Sequence, residues 1–355
     1  MKQAKFLGLG LAAVALTIGL AACGGNSKKN ANTKGDPQHS VVMVTDTAGI
    51  DDKSFNQSAW EGMQEWGKEH KLPEGPQGYA YIQSNEASDY TSNIDQAISS
   101  QFKTIFGIGY LLKNAVVDAA DANPETNFVL IDDTVNGKNN VASATFRDNE
   151  SAYLAGVAAA NTTKTNKVGF IGGVEGPVIG RFQAGFEKGV ADAGKKLGKD
   201  IQITSTYAGT FADASKGRAL ASSMYQADII YHAAATTGQG IFQEAKALNE
   251  TGSKDKVWVI GVDRDQNEDG KYTTKDGKDD NLTLASTIKG VNIAVKKISD
   301  LALEDKFPGG EHLTYGLKDG GVDLTTEALS DQAKTAVKEA KEQIISGDVK
   351  VPDQP

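Results

Sequence analysis

The chain has 355 residues, of which 37 are basic and 46 acidic, and it contains a single cysteine. This length exceeds that of a typical single domain and suits two lobes of ordinary size. The net charge of −9 argues against nucleic acid and anionic lipid as binding partners, because both are polyanions. A lone cysteine allows no internal disulfide, so packing of the apolar core must supply the stability.

The first residues predict a secretory leader that ends in a lipid-attachment site. Lys2 and Lys5 precede an apolar run of small residues that ends in LAAC at 20–23. This ending is typical of a lipobox, in which Cys23 is diacylated after residues 1–22 are removed. The alternatives are an ordinary leader with a chance cysteine and a transmembrane anchor, for which the run is short and interrupted by glycines.

The segment after the leader predicts a tether. Residues 24–38 contain no apolar side chain larger than alanine, so they cannot bury enough surface to fold. We therefore expect residues 23–39 to form a flexible lipid-anchored tether, with the protein on the extracytoplasmic face of the cell membrane. Removal of the leader takes two of the 37 basic residues and leaves 35 against 46 acidic ones, a net charge of −11.

Two series of apolar runs rich in β-branched residues predict strands. The first series occupies residues 41–46, 79–84, 104–110, 127–133 and 141–146, and the second occupies residues 167–173, 201–209, 227–234 and 256–263. Helical patterns separate most of these runs, and strands that alternate with helices form parallel sheets with right-handed crossovers. We therefore expect an α/β fold with two doubly wound parallel-sheet lobes and a ligand cleft between them.

The remaining segments predict a hinge of several strands between the two lobes. A strand pattern at 282–288, a helix near 291–303, an extended segment at 312–324 and a final helix at 326–345 are too few for a third domain. If they cross back between the lobes, the hinge can close around a ligand. We expect an N-terminal lobe and a C-terminal lobe with the following residues: 40–146 with 286–315, and 147–285 with 316–355.

The turn after the first strand predicts a small-ligand site. The run VVMV at 41–44 is followed by a polar turn and then by a helical pattern that contains Phe55, with Asp52 or Ser54 available as its N-cap. Such a turn lies where open α/β sheets bind their ligands. Asp46 would offer a carboxylate to the ligand, and Phe55 would offer a flat aromatic surface.

Aspartate and glycine also cluster at the ends of other predicted strands. These clusters lie at 45–46, 107–110, 131–133, 169–173 and 261–266. Both residue types are common in turns, so one cluster alone carries little information, whereas five at equivalent positions predict the lining of a cleft. Asp132 and Asp133 are adjacent, so we expect only one of them to face inward. His232 ends a strand and is the only histidine that we expect near the cleft.

The sequence contains no pattern that indicates catalysis. It has no G-x-S-x-G, no H-E-x-x-H and no phosphate loop, so we expect a binding protein without a cofactor. One acidic segment has the spacing of a calcium loop, with candidate ligands at Asp265, Asn267, Asp269 and Asp276. Strand patterns rather than helices flank this segment, which favours an exposed hairpin.

Several distinctive segments together resemble one known family. They are the lipobox, VTDTAGIDDKSFNQSAWEG at 44–62, FGIGY at 106–110, VLIDD at 129–133, FRDNESAYLAGVAAA at 146–160, GFIGG at 169–173 and VIGVDRDQ at 259–266. On these segments the chain resembles the basic membrane protein family of ABC-transporter substrate-binding lipoproteins, and within it the purine nucleoside-binding branch. The resemblance implies a type I periplasmic-binding-protein fold that binds adenosine, guanosine or inosine between its lobes and delivers the nucleoside to a permease.

The resemblance also implies roles for individual residues. An aspartate that binds the purine edge corresponds to Asp46, and a phenylalanine that stacks on the base corresponds to Phe55. The groups that hold the ribose correspond to Asp263 and Lys289, and Gly238 matches a glycine whose backbone approaches the sugar.

The sequence does not identify the residue that forms the second wall of the base site. Some relatives place an aromatic residue where this chain has alanines at 233–235, so the base must be covered by another residue, such as Phe182, Tyr110 or His232. We expect further ligand contacts from Asn56, Gly109 and Asp132, and we expect a monomer. The alternatives to a nucleoside receptor are a ribose-type sugar receptor, a surface adhesin and, less favoured, a nucleoside hydrolase.

Overall fold

The computed structural model describes residues 39–252 and 255–355. The predicted leader, Cys23 and all but the last residue of the predicted tether lie outside the described residues. Within the described part of the chain, no helix is both long and apolar enough to cross a membrane.

One six-stranded parallel sheet is formed by five strands from residues 41–146 and a sixth strand from residues 312–315. Its strand order is β2-β1-β3-β4-β5-β13, with the strands at Tyr79–Ile82, Val41–Val44, Thr104–Gly107, Asn127–Ile131, Val141–Phe146 and His312–Tyr315. Its helices are α1 (Phe55–Glu69), α2 (Asp89–Ser99), α3 (Lys113–Ala122) and α8 (Val291–Leu303). Val41 and Met43 pack in the core that contains α1 and α8, whereas Val42 and Val44 pack in the core that contains α2 and α3. This burial on both faces explains why β1 is apolar at every position.

The second half forms another six-stranded sheet of similar design. Its strand order is β7-β6-β8-β9-β12-β14, with the strands at Gln202–Tyr207, Lys167–Gly172, Ile229–Ala233, Trp258–Gly261, Thr283–Lys289 and Val322–Leu324. Only β14 is antiparallel to its neighbour in this sheet. Its helices are α4 (Asp148–Thr162), α5 (Pro177–Leu197), α6 (Ala214–Met224), α7 (Ala235–Thr251) and α9 (Asp331–Ser346).

Both sheets reverse their strand order near the middle. The chain runs from β1 to β2 in one direction and then crosses back to β3, and it repeats this path with β6, β7 and β8. Ligands of open α/β sheets bind at such a reversal, beyond the carboxyl ends of the strands. The topology therefore provides one binding crevice in each sheet, between β1 and β3 and between β6 and β8.

The chain passes between the two sheets at three crossovers. They lie at Arg147, at Gly290 and at residues 316–321. The Arg147 amide donates to the Tyr315 carbonyl at 2.8 Å, and the Gly290 amide donates to the Gly321 carbonyl at 2.8 Å. The crossovers are therefore hydrogen-bonded to one another.

The predicted boundary between residues 285 and 286 is wrong, because it falls inside β12. The whole of this strand belongs to the second sheet, where it pairs with β9 and β14. An apolar run that pairs along its length cannot be divided between two sheets, so the crossover follows Lys289. The boundary expected after Tyr315 agrees with the structure, since β13 lies in the first sheet and β14 in the second.

The acidic side chains of the candidate calcium loop are not gathered into one cluster in the described residues. A hairpin of two short antiparallel strands, β10 (Lys271–Thr273) and β11 (Asp279–Asn281), occupies part of this region, as the flanking patterns predict. Asp269 pairs with Lys53 at 2.8 Å, and Asp276 pairs with Lys278 at 2.9 Å. No group of three metal-ligating His, Cys, Asp or Glu side chains occurs in residues 39–252 and 255–355. The calcium candidates Asp265, Asn267, Asp269 and Asp276 therefore do not converge.

Candidate functional site

A cavity lies between the two crevices. Its lining atoms surround about 470 Å³ of unfilled space, the mouth included. Eight of the residues expected at the ligand line this cavity, and they are Asp46, Phe55, Gly109, Tyr110, Asp132, Phe182, Asp263 and Lys289. The remaining wall is largely apolar and consists of Leu111, Val178, Ile179, Phe211, Ala233, Ala234, Ala235 and Val262.

The start of α1 is fixed by one buried aspartate. The Asp52 carboxylate accepts hydrogen bonds from the backbone amides of Ser54, Asn56 and Gln57 at 2.8, 2.8 and 3.1 Å. Asp52 therefore caps the helix, because these amides have no partner within its first turn. The Ser54 hydroxyl instead donates to the Asp263 carboxylate of the other half of the chain. Phe55, the first residue of α1, is thus held in place on both sides.

Asp46 is a buried carboxylate at the end of the cavity next to β1. Its Oδ1 accepts hydrogen bonds from the Ala48 amide at 3.0 Å and from the Asn56 side chain at 2.7 Å. Burial raises the pKa of Asp46 to about 6, although both hydrogen bonds oppose this shift. Asn56, which we expected to contact the ligand, does not line the cavity. Its side chain instead orients Asp46.

Gly109 brings the chain close to Asp46 after β3. Its φ of 110° is a conformation that favours glycine. A methyl group at this position would lie 3.5 Å from the Phe55 ring and 3.6 Å from Asp46 Oδ2. Gly109 therefore forms a wall beside both residues without filling the cavity.

A buried ion cluster around Lys289 also borders the cavity. The Lys289 ammonium lies 2.7 Å from Asp132 Oδ2 and 3.2 Å from Asp148 Oδ1, and its side chain is 3% exposed. Burial by itself would lower the pKa of Lys289, but the carboxylates of Asp132, Asp148 and Asp263 outweigh it and raise the pKa. Lys289 therefore stays charged in a buried position.

Asp132 faces the cavity with one oxygen atom unused. Its Oδ1 is buried and has no hydrogen-bond partner among the described residues. Asp133 points away and pairs with Lys113 at 3.1 Å. The expectation that only one of the two aspartates faces inward is confirmed.

Asp263 lies beside Lys289 and belongs to the loop after β9. Its carbonyl accepts from the Lys289 amide at 2.9 Å, and its carboxylate accepts from the Ser54 hydroxyl. Burial raises the pKa of Asp263 to about 7, while Lys289 and Ser54 act in the opposite direction. A ligand that donates hydrogen bonds would favour the charged carboxylate.

Aromatic rings from both lobes line the cavity beside these polar groups. The Lys289 ammonium lies 5.0 Å from the centre of the Phe55 ring and 5.5 Å from the centre of the Phe182 ring. Phe211, which sequence reasoning missed, lines the wall next to the alanines that follow β8. Its ring packs on Gly173, where a methyl group would lie 2.2 Å from the ring. The glycine pair at the end of β6 was the only sequence signal for this contact.

Two residues expected near the ligand face elsewhere. His232 is fully buried in β8 and contacts the Phe242 ring edge-on at 5.7 Å, and burial lowers its pKa to about 4. A methyl group on Gly238 would lie 2.2 Å from the His232 ring. His232 does not line the cavity, because side chains alternate along a strand and its neighbours Tyr231 and Ala233 take the other face. Gly238 lies in α7, packs against the His232 ring and is not among the residues that line the cavity.

Comparison with known proteins identifies the family. Residues 39–355 match the family described as ABC transporter substrate-binding protein PnrA-like. The chain belongs to this family. It is 49% identical to the ABC transporter nucleoside-binding protein BmpA of Lactococcus lactis, over 98% of this chain and 97% of that protein. It is 33% identical to basic membrane protein A of Borreliella burgdorferi, over 88% and 87% of the two chains.

Solved structures support the same fold. The crystal structure of an ABC transporter solute-binding protein from Aeropyrum pernix K1 matches with a TM-score of 0.77 and 26% identity, covering 88% of this chain and 93% of that chain. A glucose-galactose binding protein from Geobacillus stearothermophilus, at 15% identity and a TM-score of 0.57, shares the fold alone. The predicted two-lobed periplasmic-binding-protein fold and the predicted family are both confirmed.

The ion cluster leads to a stability prediction. Lys289→Met should lower the free energy of unfolding by about 3–5 kcal/mol near pH 8, because it leaves buried carboxylates without their cation. The pKa values of Asp132 and Asp263, which burial raises, would rise further in the folded variant. Stability of the variant should therefore fall as the pH rises through those values, and the loss should be smaller near pH 5.

Chemical denaturation at both pH values measures this loss. Lys296→Met is the matched control, since Lys296 is surface-exposed and pairs with Glu65 and Glu69. Surface pairs contribute about 0–1 kcal/mol, so the control should change little. Equal losses for the two variants would contradict the assignment of Lys289 as the central cation of the cluster.

Proposed function

We propose that this substrate-binding protein captures purine nucleosides in the cavity between its two sheets and delivers them to an ABC permease. The observation that carries the proposal is the presence of two sets of polar groups beside aromatic rings in one cavity. Asp46 lies beside Gly109 and Phe55, Asp263 lies beside Lys289, and the Lys289 ammonium is 5.0 Å from the centre of the Phe55 ring. The Lactococcus lactis relative, with nearly half of its residues identical, is named as a nucleoside-binding protein.

The part of the cavity around Asp46 suits a purine base. An aromatic base stacks on a phenyl ring, and the Phe55 ring is fixed by the capped start of α1. The Asp46 carboxylate accepts hydrogen bonds from N–H groups at the edge of the base. Its orientation is set by Ala48 and Asn56, which reduces the entropic cost of binding.

The part of the cavity around Asp263 suits a ribose. Hydroxyl groups donate to the carboxylates of Asp263 and Asp132, and a hydroxyl oxygen accepts from Lys289. The cluster of Asp132, Asp148 and Asp263 with Lys289 and Arg181 has one more negative than positive group when all are ionised. This excess of acceptors favours a neutral donor over a phosphorylated ligand.

The proposal includes an anchor outside the described residues. A lipid on Cys23 and the tether at 23–39 would hold the protein as a monomer at the extracytoplasmic face of the membrane. The ligand-binding lobes could then move between the surrounding medium and the permease.

A ligand screen tests the proposed function. We expect adenosine, guanosine and inosine to bind the purified protein unchanged and to raise its melting temperature, because a ligand that binds only the folded state stabilises it. Titration calorimetry against these nucleosides, adenine and ribose provides the affinities, and chromatography of the recovered ligand excludes hydrolysis. A rise with ribose and none with nucleosides would support a sugar receptor instead.

Substitutions in the two parts of the cavity should affect different ligands. Phe55→Ala should weaken binding of every nucleoside by about 1–3 kcal/mol, the range for stacking of a base on an aromatic side chain. Asp263→Ala should weaken adenosine by about 1.5–3 kcal/mol, the range for hydrogen bonds to a charged group, and should leave adenine nearly unaffected.

Asp133→Ala is the control for these variants, because it removes a carboxylate that points out of the cavity. Titration calorimetry of all three variants against adenosine and adenine decides the assignment. Equal losses for the two ligands in Asp263→Ala would mean that Asp263 does not bind the sugar.

The lipid anchor has a separate test. Cys23→Ala should release the protein into the medium or periplasm without changing its melting temperature, because the thiol is the only attachment point expected. Cell fractionation and thermal denaturation measure the two effects. Retention of the variant in the membrane fraction would contradict the lipoprotein assignment.

A further inference from the structure

The segment FRDNESAYLAGVAAA places a buried carboxylate next to the cavity. Asp148 is the first residue of α4, and its side chain is completely buried. It contacts two cations, Arg181 of α5 and Lys289 at the end of β12. Lys289 lines the cavity, whereas the lining residues include neither Asp148 nor Arg181. Lys289 is the ion-pair partner through which Asp148 can act on a ligand, and Phe182, next to Arg181 in the chain, also lines the cavity.

The geometry assigns one carboxylate oxygen to each cation. Arg181 donates from both Nε and Nη2 to Oδ2 of Asp148, at 3.1 and 3.0 Å. The Lys289 ammonium lies 3.2 Å from the other oxygen, Oδ1, as an ion pair; Oδ1 accepts no hydrogen bond from the described residues. Because Arg181 uses two donors on one oxygen, it fixes the rotation of the carboxylate and hence the position of Oδ1.

The same contact joins two of the three crossovers. Asp148 directly follows the crossover at Arg147, and Lys289 directly precedes the crossover at Gly290. The contact between Lys289 and Asp148 therefore lies at the hinge, whereas the contact between Lys289 and Asp132 connects the second sheet to the first. If the lobes separate, the first contact can persist while the second must lengthen.

We propose that Asp148 and Arg181 are positioning residues that hold the Lys289 ammonium in place for the ligand. The inference rests on the proposed nucleoside function. A lysine side chain is flexible and loses considerable entropy when it is ordered. A fixed partner at the hinge removes that cost before the ligand arrives, which favours binding. The ammonium has three N–H donors, so contacts with Asp132 and Asp148 leave capacity for a sugar hydroxyl.

Arg181 also limits how strongly Asp148 attracts Lys289. Without Arg181, Asp148 would be a buried carboxylate whose only remaining cation is Lys289, and it would draw the ammonium away from the cavity. With Arg181 present, the Asp148 charge is shared between two cations. Loss of Arg181 should therefore weaken binding of the sugar more than binding of the base.

Titration calorimetry with adenosine and adenine tests this role. We expect Arg181→Met and Asp148→Asn to weaken adenosine about tenfold, at the lower end of the range for residues that support a ligand-binding group. Adenine, which lacks the sugar, should change less than about twofold. Arg181→Lys restores the charge and should recover part of the affinity. Lys188→Met is the control, since Lys188 lies on the same helix and pairs with exposed Asp192 at 2.7 Å.

The pattern of losses separates positioning from a purely structural role. A structural role would lower the melting temperature and weaken adenosine and adenine equally, which would overturn the inference while leaving the nucleoside function in place. Failure of the unaltered protein to bind any nucleoside would instead overturn the proposed function.

A second measurement needs no ligand. In protein labelled with 15N-lysine, a buried ammonium held by carboxylates exchanges its protons slowly and yields a 1H–15N signal, which Lys289→Met identifies by its loss. We expect Arg181→Met and Asp148→Asn to shift or broaden this signal, and Arg181→Lys to retain it. An unchanged signal in both Arg181→Met and Asp148→Asn would show that the pair does not position Lys289.

Discussion

The arrangement of the two lobes depends on the ion cluster around the buried Lys289 ammonium. A charge removed from water costs several kcal/mol unless oppositely charged groups and hydrogen bonds surround it. The compensating carboxylates come from different parts of the structure. Asp132 follows β4 of the first sheet, whereas Asp148 begins α4 and Asp263 follows β9, which both belong with the second sheet. The cluster can therefore form only when both sheets and the hinge are in place. Lys289 therefore connects the end of β12 to the start of α4 and to the lining of the cavity.

The contacts that cross the cleft differ in strength, which bears on opening. Lys53 pairs with Asp269, and Glu61 pairs with Arg264, but each pair includes a side chain that is about half exposed or close to it. Exposed pairs contribute about 0–1 kcal/mol each, so they offer little resistance to separation. The buried contact between Ser54 and Asp263 lies deeper, beside the proposed sugar site. The closed arrangement therefore depends mainly on groups that a ligand would also contact.

Much of the fold and of the cavity could be predicted because the signals are local. The run at 41–44 shows a strand buried on both faces, and the aspartates and glycines at strand ends mark the crevice. The misplaced boundary inside β12 and the wrong orientation of His232 have a different origin. Strand pairing and the face that a strand residue takes depend on neighbours distant in sequence. Arg181 and Phe211 were missed as neighbours of the site for the same reason.

The distribution of acceptors and donors in the cavity bears on how the proposed site would select a nucleoside. Burial raises the pKa values of Asp46 and Asp263 to about 6 and about 7, because their charged forms lose contact with water. A ligand with N–H groups at one end and hydroxyl groups at the other would supply the missing donors to both. A free base would reach only Asp46, and a free sugar would reach only Asp263. A phosphate group on the ligand would be repelled by the carboxylates. In the proposed site, selectivity would therefore depend on one ligand reaching both Asp46 and Asp263.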